Sequence, residues 1–383
     1  MSFAAISLGP EQVVVVFDKK TSLDWFSCSI ARGAHDVNLH QILITGGAGF
    51  LASHLVDRFR CHGARVRLFD IAARPDWAQG PGIEYVRGDV RDEKLTRAAL
   101  EGVDTVLHAA FASPRQNLEL VRSVNTEGTR ILCRCAGARG VARLVLISST
   151  IVARPPKVHP FLSNSPLTRL DAYRSTRAEA EKIASDCGNT GMQVAIVRPK
   201  TFIGPGYLSA FAIVFEWIRL GRPVLILGDG ENRYQLVDVR DMADGLALLA
   251  RSDAAGVFYF GGQEFGTVRH DLQALLHHAR TGSRLCTVPR MMARAALRGI
   301  ELANIVPLSE WHYMNAHGKD SVVDISRTAQ ELGWRPKWSN AQSLLDAYDW
   351  YVGSMRATGT VRTKFPVPVT HRALKYLSWF LPH

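Results

Sequence analysis

A run of glycines between an apolar segment and a helical pattern constrains this chain more than any other feature. Residues 41–44, Gln-Ile-Leu-Ile, predict a buried strand, and the next five, Thr-Gly-Gly-Ala-Gly, predict a tight turn. From Phe50 onward, apolar residues recur at helical spacing. A strand, a glycine turn and a helix form the frame in which a helix N-terminus binds the pyrophosphate of a dinucleotide. We therefore predict a nucleotide-binding half.

The small residues of this stretch have separate expected roles. Gly46 and Gly47 permit the turn, and Gly49 lets the backbone approach a phosphate. Ala52 stands where the helix and the strand must pack closely, and a small residue is sufficient there.

An acidic residue follows at the expected distance. Asp70 ends the apolar run 66–69, about 20 residues beyond the glycines, where a ribose-binding acid belongs. Because a carboxylate repels a 2′-phosphate, Asp70 favours NAD over NADP. Arg74 is close enough in sequence to weaken that preference.

Strand and helix patterns alternate beyond residue 41. Strands are predicted at 41–44, 65–69, 83–86, 105–107, 143–147 and 194–197, with helices at 50–61, 93–100, 118–138 and 171–184. Continuous apolar strands separated by helices indicate a parallel sheet that is covered on both faces. The predicted fold class is α/β: a Rossmann-type doubly wound parallel sheet with a smaller C-terminal α/β substrate domain.

Four regions follow from these patterns. Residues 1–40 form an N-terminal extension of unclear role, in which 13–17 is an edge or a buried strand. Residues 41–200 form the NAD-binding domain, and residues 201–355 are mainly substrate-binding. The tail 356–383 is basic, with a bulky apolar face. Such a tail can lie on an anionic membrane, pack on its own domain or contact a partner subunit.

Composition narrows the function classes. The net charge is +11, but no basic block with interleaved aromatic residues indicates a nucleic-acid partner. No run of about 18 apolar residues and no signal-peptide pattern is present, so we expect a cytoplasmic protein, peripheral to a membrane if the tail binds one. The cysteines form no CxxC pair and predict reduced thiols. No histidine spacing implies a metal.

Two residues four apart could carry chemistry. Tyr173 and Arg177 share one helix face, and a fixed cation beside a phenol favours the phenolate that a general base requires. Ser149 and Thr150 end a predicted strand, where a hydroxyl can bind a substrate oxygen.

The chain resembles the extended short-chain dehydrogenases/reductases of the NAD-dependent epimerase/dehydratase family over roughly residues 41–352. The motifs that carry the resemblance are Thr-Gly-Gly-Ala-Gly-Phe-Leu-Ala at 45–52, Gly-Asp-Val at 88–90, His-Ala-Ala at 108–110, Asn-Thr-Glu-Gly-Thr at 125–129, Ser-Ser-Thr at 148–150, Tyr-x-x-x-Arg at 173–177, Arg-Pro at 198–199 with Gly-Pro-Gly at 204–206, Gly-Asp-Gly at 228–230 and Leu-Gly-Trp-Arg-Pro at 332–336.

The resemblance implies roles for individual residues. Tyr173 would be the acid/base, Thr150 would orient the substrate oxygen, and Arg177 would assist the tyrosine and bind the nicotinamide ribose. The implied cofactor-binding residues are Gly46, Gly49, Phe50 and Leu51 for the pyrophosphate, Asp70 for the adenosine ribose, Asp89 and Val90 for the adenine, Ala109 and Ala110 for the cleft, and Asn125 and Ser148 nearby. It also implies a homodimer.

Departures from the family pattern restrict which of the family's activities apply to this chain. The usual lysine is Arg177, which differs in geometry and hydration. Thr201 replaces the asparagine of sugar-nucleotide enzymes, and Arg233 is the only neighbour that could replace an arginine expected near Tyr234. No carboxylates follow Thr150, which argues against dehydration.

Three functions therefore stay open. The first is an NAD-dependent sugar-nucleotide epimerase, whose small-molecule substrate is a nucleotide sugar. The second is an NAD(P)-dependent oxidoreductase on a lipid or sterol-like alcohol or ketone, as in the 3β-hydroxysteroid dehydrogenase branch. The third, motivated by Arg177, is a catalytically impaired nucleotide-binding regulatory protein.

Overall fold

The computed structural model describes residues 40–113, 116–154, 159–168, 171–188, 191–207, 211–302, 314 and 317–358, together with the backbone of 5–7 and 13–15. The strands are β1 (Ala5–Ser7), β2 (Val13–Val15), β3 (Gln41–Thr45), β4 (Arg65–Asp70), β5 (Ile83–Arg87), β6 (Thr105–His108), β7 (Arg143–Ile147), β8 (Gln193–Pro199), β9 (Thr201–Ile203), β10 (Val224–Leu227), β11 (Leu236–Asp238), β12 (Gly256–Phe260) and β13 (Leu285–Val288). The α-helices are α1 (Phe50–Cys61), α2 (Glu93–Ala99), α3 (Leu118–Arg122), α4 (Thr129–Ala138), α5 (Ala172–Gly188), α6 (Phe211–Arg219), α7 (Val239–Arg251), α8 (Val268–Ala279), α9 (Arg290–Leu302), α10 (Ser326–Leu332) and α11 (Asn340–Thr358).

Seven of these strands form one parallel sheet in the order β12-β8-β7-β6-β3-β4-β5. From β3 the chain first adds β4 and β5 on one side of that strand. It then crosses back and adds β6 on the other side of β3. Thr45 is in register with Phe69 on β4 and with His108 on β6. The carboxyl ends of β3 and β6 therefore flank the point at which the strand order reverses, and ligands of open parallel sheets bind there.

Apolar side chains cover both faces of the sheet, as the continuous apolar strands predict. Helices α1 and α7 pack together on one face, in a core that includes Phe59, Met242 and Phe260. Helices α2, α4 and α5 cover the other face around Leu43 and Leu144. A third core joins α6, α8 and α11 beside the two-stranded sheet of β10 and β13. These observations confirm the predicted α/β fold class.

The structure differs from the predicted elements at two places. The helix expected at 118–138 is interrupted by a π-helical turn, Ser123–Gly128, between α3 and α4. The main sheet takes its seventh strand, β12, from beyond residue 200, where the predicted NAD-binding domain ends. The strand expected within 13–17 is present as Val13–Val15, which pairs antiparallel with Ala5–Ser7, apart from the main sheet.

Several other expectations fall outside the described residues or stay open. The basic tail lies almost wholly outside them, as does most of the N-terminal extension. Among the described helices, none is long and apolar enough to cross a membrane. No disulfide links the cysteines in the described part of the chain.

Candidate active site

The glycine turn between β3 and α1 leaves no room for a side chain at Gly46 or Gly49. Gly46 has a φ of +70°, and a Cβ there would lie 2.7 Å from the carbonyl oxygen of Ala109. A Cβ on Gly49 would lie 2.8 Å from the Gly46 carbonyl oxygen, which accepts the Gly49 N–H at 2.9 Å. Gly49 is also the N-cap of α1, with no side chain to cap the first turn. A helix N-terminus without a side-chain cap can bind an anionic ligand.

Asp70 links the end of β4 to this turn. One oxygen of its carboxylate accepts the Ala48 N–H at 3.0 Å, and the other accepts the Ala72 N–H at 2.9 Å. The acid thus stands beside the glycines, as the spacing predicts. The Nε of Arg74 donates to the carbonyl of Ala78, so Arg74 is bonded within its own loop.

Asp89 and Val90 follow β5. The guanidinium of Arg91 donates to both oxygens of Asp89, and these bonds hold the pKa of Asp89 below its usual value. Val90 is buried, and its side chain fills the space that a Cβ on Gly128 would need. The π-helical turn therefore packs directly on this pair.

The end of β6 is organised by a buried histidine. The Oγ1 of Thr45 accepts the N–H groups of Ala109 and Ala110, at 3.1 and 3.2 Å, and so donates its own proton to Nδ1 of His108 at 2.7 Å. The hydroxyl of Thr129 donates to the Asn125 carbonyl, and so accepts from Nε2 of His108. This pattern assigns the neutral tautomer protonated on Nε2. Burial first, and then the charge of Arg177, lower the pKa of His108 to about 3.

Asn125 connects the π-helical turn to α5. Its side chain is fully buried, accepts the Ala112 N–H at 2.8 Å and donates to the hydroxyl of Thr176 at 3.2 Å. Thr176 in turn donates to the carbonyl of Tyr173. A π-helical turn often marks a functional site, and here it places Asn125 between the β6 end and the tyrosine helix.

Helix α5 carries Tyr173 and Arg177 to the end of β7. The guanidinium of Arg177 is buried, donates to the Ile147 carbonyl at 2.8 Å and lies over the ring of Phe111, 3.4 Å from its centroid. Burial lowers the pKa of Arg177, while the partly buried Tyr173 and then Glu181 oppose that shift. The charge of the Tyr173 phenol thus influences Arg177, and the catalytic pairing of the two stays a prediction.

Several buried polar atoms at this strand end lack partners. Within the described residues, no hydrogen-bond partner meets Nε and Nη1 of Arg177 or Oγ of Ser148. Thr150 is also buried and opens the short 3-10 turn Thr150–Val152 directly after β7. Leaving such groups unpaired is costly, so this strand end is a candidate place for a ligand with hydrogen-bonding groups.

Beyond the sheet, β9 and its neighbours form a second polar group. The Thr201 hydroxyl bonds the Tyr234 hydroxyl at 2.9 Å, and buried Lys200 donates to Ser321 at 2.6 Å while lying over the Tyr234 ring. Arg233 is engaged elsewhere, since it donates to the carboxylate of Asp320 at 2.7 Å.

An aromatic group joins the glycine turn to β9. The ring of Phe50 stacks on Tyr207, 4.9 Å between centroids, and on Phe202 at 6.2 Å. Leu51, the next residue of α1, is buried in the core below.

Sequence reasoning did not assign roles to His108, Phe111 or Thr176. In the sequence His108 is only part of a motif, and nothing local indicates that its imidazole bridges the end of β3 and the start of α4. The contacts of Phe111 and Thr176 depend on α5, which is distant in sequence. By contrast, the structure brings Gly46, Gly49, Asp70 and Ala109 together as expected.

A parallel sheet with a glycine turn at its switch point defines a Rossmann-type nucleotide-binding protein. The family model for the NAD-dependent epimerase/dehydratase family matches residues 42–259. The chain therefore belongs to that family. This confirms the resemblance to the extended short-chain dehydrogenases/reductases that its motifs predict.

Known proteins resemble the chain over most of its length. An uncharacterised protein of Sinorhizobium fredii, y4nG, is 32% identical over 88% of this chain and 86% of its own length. Sterol demethylase protein B of Methylococcus capsulatus is 30% identical over 81% of this chain and 97% of its own length. The crystal structure of Bordetella bronchiseptica WbmG in complex with NAD and UDP covers 82% of this chain and 94% of its own, with a TM-score of 0.66 and 20% identity. At that identity the likeness concerns the fold.

Proposed function

We propose that this protein is an NAD-dependent oxidoreductase that interconverts a secondary alcohol and a ketone on a hydrophobic, sterol-like substrate. The observation on which this choice depends is that the polar groups around β9 are already bonded within the protein. Arg233, the sequence neighbour of Tyr234 that could replace the arginine of sugar-nucleotide enzymes, is paired with Asp320. Thr201 replaces the asparagine of sugar-nucleotide enzymes, and its hydroxyl is bonded to the Tyr234 phenol.

The surroundings of the site support a hydrophobic substrate. Phe50, Phe202 and Tyr207 form a stacked group between α1 and β9. Aromatic faces bind apolar rings well, and they offer nothing to a diphosphate. Sterol demethylase protein B, which is 30% identical to the chain, is named for a sterol reaction.

The residues present fit NAD as the cofactor. The glycine turn admits a phosphate close to the backbone, and the uncapped start of α1 would bind it. Asp70 would bind the adenosine ribose, with Asp89 and Val90 beside the adenine. Nε and Nη1 of Arg177 and Oγ of Ser148, which have no hydrogen-bond partner among the described residues, would bind the nicotinamide ribose.

The proposed chemistry divides between the cofactor and the chain. NAD supplies the hydride acceptor. Tyr173 is the acid/base that takes the proton of the substrate hydroxyl, and the Thr150 hydroxyl orients the substrate oxygen. The Arg177 guanidinium is fixed on the same helix, one turn from Tyr173, by the Ile147 carbonyl and the Phe111 ring.

The test is turnover of NAD with two substrate classes. The purified full chain is incubated with NAD and either a 3β-hydroxysterol or UDP-glucose, and NADH absorbance and products are followed. We expect net NADH formation with the sterol, and a loss of about 100-fold or more in kcat for Tyr173→Phe with NAD binding retained.

Two results would contradict the proposal. Interconversion of the nucleotide sugar without NADH accumulation would instead support the sugar-nucleotide epimerase. NAD binding without turnover of either class would support the impaired regulatory protein.

A further inference from the structure

Phe111 lies at the centre of a stack that no motif of the chain accounts for. The guanidinium carbon of Arg177 is 3.4 Å from the centroid of its ring, and the His108 ring is 4.9 Å away from it. His108 is fixed on both sides by the hydroxyls of Thr45 and Thr129. The fixed imidazole of His108 thus positions the ring of Phe111, and that ring contacts the face of the buried Arg177 guanidinium.

The charge balance shows why this contact matters. In the described part of the chain, no carboxylate forms an ion pair with Arg177, and Glu181 is instead bonded to Arg198. His108 is neutral, so it adds no repulsion. A buried guanidinium without a carboxylate needs other compensation, and an aromatic face provides it in a desolvated setting.

An arginine and a lysine at position 177 would differ in how their donor groups are oriented. A lysine ammonium is a compact charge that can turn toward any acceptor, whereas a guanidinium must have its plane fixed before its N–H groups point at a ligand. The Phe111 face and the Ile147 carbonyl fix that plane. They leave Nε and Nη1 as two buried donors without partners in the described residues.

We propose that Phe111 is a positioning residue that adapts the site to arginine at 177, so that Arg177 binds the hydroxyls of the nicotinamide ribose with two donors. This inference rests on the proposed NAD binding. It predicts that affinity for the nicotinamide-side ribose depends on an aromatic face at 111, while affinity for the adenosine half does not.

The experiment compares binding of three probes to the full chain by titration calorimetry. NAD and ADP-ribose carry the second ribose, and ADP lacks it. Phe111→Leu removes the aromatic face at similar size, and Phe111→Tyr retains it. We expect Phe111→Leu to bind NAD and ADP-ribose about tenfold or more weakly, with ADP unchanged and Phe111→Tyr close to wild type. Arg177→Lys should weaken ADP-ribose binding less in the Phe111→Leu background than in wild type.

Outcomes separate this inference from the proposed reaction. Equal binding of ADP-ribose to wild type and Phe111→Leu would overturn the positioning role while leaving the proposed function intact. An equal loss for ADP and ADP-ribose would also overturn it, because Phe111 would then act on the fold as a whole. Absence of turnover with the discrimination present would overturn the proposed reaction and support the role of Phe111.

Discussion

Two glycines with similar positive φ angles allow the glycine turn to be tested against an internal control. Gly46 has a φ of +70° and Gly63, after α1, has a φ of +77°. A Cβ on Gly63 would meet nothing within 4 Å, whereas a Cβ on Gly46 would lie 2.7 Å from the Ala109 oxygen and 2.9 Å from its carbon. Alanine at either position pays the same conformational cost, so any difference reports the close approach alone.

The magnitudes follow from these contacts. A left-handed conformation costs an alanine about 1–2 kcal/mol. Overpacking at a rigid site adds about 1–3 kcal/mol, and Ala109 cannot move freely because its N–H is bonded to Thr45. We therefore expect Gly63→Ala to lower the free energy of unfolding by about 1 kcal/mol, and Gly46→Ala by about 3 kcal/mol.

Cofactor binding should separate the two variants further. Displacing the turn moves the N–H groups at the start of α1, so Gly46→Ala should weaken NAD binding by about 100-fold, and Gly63→Ala should leave it unchanged. Urea denaturation measures the first quantity and titration calorimetry the second. Equal losses of stability in the two variants, or unchanged NAD affinity in Gly46→Ala, would refute the reasoning.

The remaining predictions concern buried ionisable groups. The pKa of His108 is about 3 in the folded chain and near 6.5 in the unfolded chain. Between these values only the unfolded chain binds the proton, so lowering the pH from 7.5 to 5 should reduce the free energy of unfolding by about 2 kcal/mol through His108. His108→Gln should lose that component in urea titrations at the two pH values, and an unaltered pH dependence would contradict the neutral assignment. Glu181→Gln leaves the buried Arg198 without its carboxylate and should cost about 3–5 kcal/mol by the same assay. The exposed, ion-paired Glu93 is the control, since Glu93→Gln should cause no resolvable change; comparable losses would show that burial is not the cause.

Local patterns predict the sheet well where each strand is a continuous apolar run between breakers. Helix α1 has the predicted bounds, and the strands from β3 to β8 lie within about two residues of their predicted positions. Strand β12 was missed although Val-Phe-Tyr-Phe stands between glycines at 256 and 261. The run itself indicates a strand, but local pattern does not tell which sheet a strand joins, and β12 joins β8 across the helix α7.

The candidate site is less accessible to the sequence, because its contacts join distant positions. Thr45 and His108 are 63 residues apart, and Asn125 and Thr176 are 51 apart. Motifs predict which residue types gather at the sheet edge, since parallel strands all end there. They do not predict hydrogen-bond partners, so the neutral tautomer of His108 and the π-helical turn could be found only from the structure.

The arginine at 177 illustrates both limits. The sequence shows a departure from the family's lysine and motivates the hypothesis of an impaired protein. The structure shows that the Arg177 guanidinium lies over the ring of Phe111, a contact that an arginine can use and a lysine does not need. If these two residues act as a pair, Arg177→Lys alone should not improve activity, because lysine would lose the stacked geometry. An increase in kcat for that single variant would instead support the impaired alternative.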